Sequence, residues 1–197
     1  MDRGTKTALL DLAQELAQTR GLNAFSFHDL ARGVGIRTAS VHHHFRTKED
    51  LGRELMARYR ARFAEALDDI SARKRAPRQR LERFASLFRD TLRQGNRLCL
   101  CGMLATEYPT LAAPVRREVK AFYDETEGWL ARVLAEGRSG GSFAFDGAPS
   151  VVAKTFLATL EGAMIAARTF GDEQRLARAA QWLIASLDAD GTRNRSK

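Results

Sequence analysis

From Leu9 onward apolar residues recur at three- and four-residue spacing, with Leu9, Leu12, Ala13, Leu16 and Ala17 forming a stripe that ends near Arg20 and Gly21. That spacing predicts a first helix. Ser26 followed by Asp29 forms a capping pair, and Leu30, Ala31 and Val34 supply the inward side of a short second helix ended by Gly35. Ile36 is expected to be buried in the turn. Thr38 then opens a third short helix whose inward residues are Val41 and Phe45. Thr47 with Asp50 repeats the capping signal and starts a long helix carrying Leu51, Leu55, Tyr59, Phe63, Leu67 and Ile70 on one side.

The helical pattern continues to the end of the chain. A basic connection, "SARKRAPRQR", leads into a helix marked by Leu81, Phe84, Leu87, Phe88 and Leu92, closed near Gly95 and Asn96. A short helix through "LCLCGMLATEY" is broken by Pro109 and Pro114. Val115, Val119, Phe122, Thr126, Trp129, Leu130 and Val133 describe a long helix that the pattern stops at Gly137. "GRSGGSFAFDGAP" reads as a glycine-rich flexible loop, and Pro149 suits a first helical position. Residues 151–170 are broadly apolar, and Gly171-Asp172 separates them from a last helix with Leu176, Ala180, Leu183, Ile184 and Leu187. No alternating pattern predicts a strand. The expected fold is all-α, with about nine helices.

Composition adds limits. The chain of 197 residues, 44% hydrophobic, is long enough to bury a substantial core. No apolar run approaches the length that crosses a bilayer, and Met1 to Leu10 lacks the apolar centre of a signal peptide, so a cytoplasmic location is expected. Cys99 and Cys101, two apart on a helix, face different directions and are not expected to form a disulfide. The net charge of +8 is uneven. Residues 1–100 hold 20 Lys and Arg against 12 Asp and Glu, whereas residues 101–197 hold 12 of each. A nucleic-acid-facing first half gives this distribution, as does a solvated basic surface.

"RTASVHHHF", Arg37 to Phe45, carries the candidate chemistry. Two short helices joined at a glycine, the second starting with small polar residues, form a helix-turn-helix that presents the second helix to a major groove. Arg37 can reach a guanine or a phosphate. Thr38 and Ser40 can donate to phosphates, and Ala39 permits close approach or touches a thymine methyl. His42, His43 and His44 are turned about 100° from one another and cannot converge on one ion, so no metal site is expected. His43 is the candidate for a phosphate, whereas His44, and His42 as well, can pack the module instead.

"FSFHDLARGVGIRTASVHHHFRTKEDL" resembles the N-terminal DNA-binding domain of the TetR/AcrR family of bacterial transcriptional repressors. Asp29-Leu30-Ala31, Gly35-Ile36, His44-Phe45 and Lys48-Glu49-Asp50-Leu51 follow the family pattern in order and spacing. His42 departs from it, standing where the family usually has tyrosine. The resemblance implies a helix-turn-helix domain over residues 1–47 and a helical ligand-binding and dimerisation domain over residues 48–197. It implies a homodimer that reads a palindromic operator in double-stranded DNA. Lys48, at the start of helix four, is then a phosphate contact, and Ser26, opening helix two, completes the DNA-facing set. Apolar residues on all sides of 151–170, with Leu183, Ile184 and Leu187, suit either a four-helix dimer interface or an internal core.

A second segment, "RLCLCGMLATE", resembles a Gly-Cys-Leu-x-Gly-x-Leu-Ala-x-Glu stretch in one branch of the family, some of whose members sense electrophiles, oxidants or small unsaturated acids. Cys99 falls on its cysteine, and Arg89, Arg93 and Arg97 nearby in sequence could activate the thiol. A packed thiol is the alternative. Cys99 and Tyr108 are therefore the candidate sensing residues, for a small-molecule inducer or an electrophile; Phe84, Phe88, Met103, Phe122, Tyr123, Trp129 and Phe156 are expected to be mostly core. No cofactor and no membrane partner are expected. The competing classes are a thiol-dependent enzyme using Cys99, which finds no histidine after His44, and a DNA-binding protein without regulation.

Overall fold

The computed structural model describes residues 3–73 and 76–188. Nine α-helices lie among them: α1 (Arg3–Arg20), α2 (Phe27–Val34), α3 (Thr38–His44), α4 (Lys48–Ala72), α5 (Pro77–Arg93), α6 (Leu100–Thr106), α7 (Ala113–Ser139), α8 (Pro149–Phe170) and α9 (Gln174–Ala185). Two 3-10 turns, Leu22–Ala24 and Tyr108–Thr110, complete the regular structure, with one isolated bridge between Phe143 and Asp188. The all-α expectation holds. Lys74 and Arg75 of the basic connection lie outside the described residues.

The chain divides into two compact units, Met1–Arg62 with Arg97–Phe122, and Phe63–Asn96 with Tyr123–Lys197. The unit boundaries differ from the 47/48 division read from the sequence, because the segment carrying α6 joins α1 to α3. Its attachments are specific. The backbone N–H of Leu98 donates to the Gln18 carbonyl at 3.1 Å, and the Gln18 side-chain amide returns a bond to the Leu98 carbonyl at 2.9 Å. Arg97 pairs with Glu15 at 2.7 Å. Leu9, Ala13 and Ala17 of α1, Leu30 and Ala31 of α2, Val41, Phe45, Leu51 and Leu55 are buried in this unit.

The second unit is organised around aromatic rings. Phe84 stacks on Trp129 at 5.6 Å and meets Phe63, Phe88 and Phe156 edge-on or tilted between 5.4 and 6.1 Å. Phe84, Phe88, Trp129 and Phe156 are core, as the sequence suggested, and Phe63 is half-buried. Trp129 satisfies its indole N–H on the Ser71 hydroxyl at 2.9 Å, which removes the main cost of burying it. α8 and α9 pack together and against α5. Arg78 pairs with Glu82 and Asp188, and Arg80 with Glu136, so these two arginines of the basic connection are held in ion pairs on this unit.

Several expectations need correction. α7 does not stop at Gly137 but runs to Ser139. Gly137 is there for space: a Cβ on it would lie 2.1 Å from the ring of Phe143. The segment after it is also more fixed than its glycines suggest. Phe143 is 2% exposed, and Ala144 donates to the Leu187 carbonyl at 2.8 Å. Second, α8, at 22 residues, is long and apolar enough by length and composition to cross a membrane. One side of it packs inward through Ala153, Phe156, Leu157, Leu160, Met164 and Ala167, as a core helix does. Ile36 is only half-buried, since it sits at the open end of the α2–α3 turn.

Candidate nucleic-acid interface

α2 begins where the sequence placed it. The Ser26 hydroxyl accepts from the Asp29 backbone N–H at 3.4 Å, and the Asp29 carboxylate accepts from the Ser26 N–H at 2.8 Å and its hydroxyl at 2.7 Å. This reciprocal cap satisfies amides that a helix start leaves open. The Ser26 bonds hold the Asp29 carboxyl below its ordinary range, with a smaller contribution from Arg32. Gly35 ends α2 at φ +77°, a left-handed conformation that glycine adopts without strain, and Ile36 donates back to Ala31 at 2.9 Å.

α3 is fixed by its inward side. Val41 and Phe45 are fully buried, and the 3.6-residue period then turns Ala39, Ser40, His42 and His43 outward, while Arg37 precedes the helix in an extended conformation. All five are exposed, and Thr38 is half-buried. His42 lies edge-on to Phe27 at 4.9 Å, so the residue that departs from the family pattern braces α2 against α3. His44 is half-buried beside Phe45, and its ring meets His43 at 5.7 Å. The outward face has small side chains flanked by one arginine and two imidazoles, which lets a backbone approach a groove closely.

α4 starts with a second cap, Thr47 and Asp50 exchanging bonds of 3.0 to 3.1 Å. Lys48, its first residue, donates from Nζ to the Phe25 carbonyl and lies over the Phe25 ring at 4.5 Å. Burial lowers the Lys48 pKa, and the nearby Glu107 carboxylate opposes that shift. One of its three N–H groups is therefore committed to holding the start of α4 against the residue before Ser26.

Glu107 is the residue that pattern reading missed. At the end of α6, its carboxylate accepts from the backbone N–H groups of Leu22 and Asn23 at 2.7 and 3.1 Å, capping the 3-10 turn between α1 and α2. Asn23 adds a bond to Thr110 at 2.8 Å. Together with the Gln18–Leu98 clasp, these bonds join the α6 segment to the helix-turn-helix at both ends of α6. Glu107 was visible only as the last position of a motif, since its partners are more than eighty residues away.

Cys99 is 2% exposed and stands immediately before α6 without a side-chain bond to that helix start; its sulfur accepts from the Tyr59 hydroxyl at 3.6 Å. Arg97, expected to activate it, is turned onto Glu15. Cys101 is buried and donates to the Val119 carbonyl, and the two cysteines form no disulfide. Tyr108 is half-buried with the Arg116 guanidinium 5.8 Å from its ring centre. Among the described residues no group of three or more His, Cys, Asp or Glu side chains converges as a metal site would.

Two family models match this chain. The model for bacterial regulatory proteins of the tetR family covers residues 9–55, and the model for the tetracyclin repressor-like C-terminal domain covers residues 77–183. The chain belongs to the TetR family of transcriptional repressors. The TetR-family match spans both the helix-turn-helix and the helices that follow it. A TetR-family regulator from Agrobacterium tumefaciens is 30% identical and superposes with a TM-score of 0.92 over 95% of this chain and 99% of its own. A TetR regulator from Legionella pneumophila, also 30% identical, gives 0.87 over the same shares. Among curated relatives, the HTH-type transcriptional repressor DhaR of Mycobacterium sp. (strain GP1) is 24% identical over 162 residues, 80% of this chain and 79% of DhaR.

Proposed function

We propose that this repressor binds a palindromic operator as a homodimer, one α3 in each of two successive major grooves, and leaves it when a small molecule or a thiol modification acts on residues 48–197. The outward face of α3 carries this reading, because Val41 and Phe45 anchor the helix and leave Arg37, Ala39, Ser40 and His43 with no part in the core. Arg37 reads a guanine or clamps a phosphate, and Thr38, Ser40 and His43 contact the backbone. His42 and Ser26 contribute chiefly by fixing α2 and α3, and Lys48 uses its remaining donors on a phosphate. Residues 1–47 are the reading head, and the protein works in the cytoplasm.

The dimer reading rests on α8. Val151, Thr155, Ala158, Gly162, Ile165 and Thr169 are all exposed, at alternating four- and three-residue spacing, which is the seam of a helix bundle. Thr155 and Thr169 donate their hydroxyls to Val151 and Ile165 of the same helix, at 3.2 and 2.9 Å, so the face is apolar in effect. Trp182 of α9, 66% exposed, extends it. A membrane would suit the α8 face alone, but not a helix whose other side is core.

For release, Cys99 and Tyr108 are the sensing candidates. A modified Cys99 cannot stay in its buried place beside Tyr59, and displacement there would pull on the α6 segment that Gln18 and Glu107 tie to the reading head. Occupation that favours a dimer with its α3 helices out of register with successive grooves lowers affinity, and a few kcal/mol suffices. The test is footprinting of DNA adjoining the gene. Protection of a two-fold site by the wild type, lost in Arg37→Ala, is expected; equal protection by the variant would defeat the reading. Cys99→Ser should still bind but stop responding to an oxidant if the thiol is the trigger, and release of both proteins alike would exclude it.

A further inference from the structure

α5 and α9 run antiparallel, as the Arg78–Asp188 pair at one end and the Arg93–Glu173 pair at the other require. Between them Ala85, Ala177 and Ala180 leave a groove of about 260 Å³, walled on its apolar side by Leu176 and Ile184. It stretches from Glu82 to Arg89, about 10 Å along the α5 axis. Its two charged ends differ. Glu82 is neutralised by Arg78 at 3.0 Å. Arg89 is not matched in this way.

Three arginines bury Nε without an acceptor among the described residues: Arg58, Arg80 and Arg89. Arg58 meets Asp11 at 2.9 Å and Arg80 meets Glu136, each through another nitrogen. Arg89 makes no ion pair or hydrogen bond among the described residues. Glu173 feels its charge through space but gives both oxygens to Arg93, at 2.7 Å each. A half-buried guanidinium left unpaired is unfavourable, and it becomes favourable when an anion with its own apolar body fills the space beside it. The groove also stands apart from the proposed dimer seam, since Trp182 is turned about 100° around α9 from Gln181 and further from Ala177.

We propose that the α5–α9 groove binds an aliphatic carboxylate, its carboxylate on Arg89 and its chain along Ala85, Ala177, Ala180 and Ile184, and that this class of molecule is the effector. The effector part rests on the ligand-release reading above; the binding part does not. Octanoate is the probe, with octanol as the uncharged control, titrated by calorimetry into the full chain without DNA. Saturable octanoate binding is expected, at least tenfold weaker in Arg89→Gln, partly kept in Arg89→Lys, and blocked by Ala177→Phe, which fills the groove without touching the charge. Each variant is checked for an unchanged melting transition.

Absent binding, octanol binding equal to octanoate, or an Arg89→Gln affinity equal to the wild type would overturn the site. Operator affinity is then measured with and without octanoate. Binding at Arg89 with no change in operator affinity leaves the site standing and overturns the effector role. Release of DNA by some other small molecule, with no octanoate binding, leaves the ligand-release reading intact and overturns this site.

Discussion

A side chain whose work is to read DNA can be removed without unfolding the protein, and Arg37 is placed that way: exposed, just before α3, with its backbone carbonyl accepting from Ser40 and its guanidinium making no ion pair among the described residues. Arg37→Ala should lower operator affinity by about 1–3 kcal/mol, roughly five- to 150-fold, by fluorescence anisotropy. Its melting temperature should stay at the wild-type value. Glu107 predicts the opposite division. Glu107→Gln keeps the shape but loses the charge that holds two backbone amides, so stability should fall by about 1 kcal/mol, a figure reduced for partial exposure. Operator affinity should fall with it, because the turn between α1 and α2 loosens; an unchanged affinity would mean that the bond serves only the fold. The contrast shows what a sequence discloses at this scale. Ser26 and Asp29 announce their bond because they sit three apart on one helix turn, as do Thr47 and Asp50. Glu107 and Gln18 pair with backbone groups far along the chain, and no local spacing encodes that.

At the scale of elements, starts were easier to read than stops. Capping needs a particular side chain at a particular offset, whereas a glycine is compatible with several outcomes. Gly35 does end α2, in the left-handed conformation. Gly137 lies inside α7, and its role is set by Phe143, which arrives from the loop that follows. Gly137→Ala should therefore cost about 1–3 kcal/mol through overpacking, measured by denaturant unfolding. In a Phe143→Ala background the same change should become neutral or stabilising, since alanine favours a helix by about 1 kcal/mol over glycine once the ring is gone. An equal cost in both backgrounds would remove the steric explanation.

The cap of α2 makes a pH prediction. The Asp29 carboxyl lies below its ordinary value of 3.8 in the folded chain, so its stabilisation is present above that value and is lost as pH falls through the folded one. Asp29→Asn should flatten this acid limb in a series of melts across pH, and an unaltered limb would assign acid sensitivity to other carboxylates.

For the whole molecule, the question is why a folded chain leaves Val151 60%, Ile165 46%, Phe170 64% and Trp182 66% exposed on its last two helices. Single exposed apolar residues are ordinary, but Val151 and Ile165 belong to a continuous seam whose threonines give their hydroxyls to carbonyls of the same helix. Gly162, at the middle of that seam, has nothing within 4 Å of the place a Cβ would take, so this chain alone gives no reason for a glycine there. A second helix crossing closely would give one. Ile165→Glu places a charge at the seam but in open space for the single chain, so it should leave the melting of an isolated subunit intact while driving the protein to monomer in analytical ultracentrifugation. The monomer keeps every side chain of α3. Its affinity for one half-site should therefore stay close to that of the wild type, while affinity for the full operator falls by orders of magnitude, because two linked contacts have become one. Retention of a dimer by Ile165→Glu, or full operator affinity in a monomer, would detach the α8 seam from the way this repressor holds DNA.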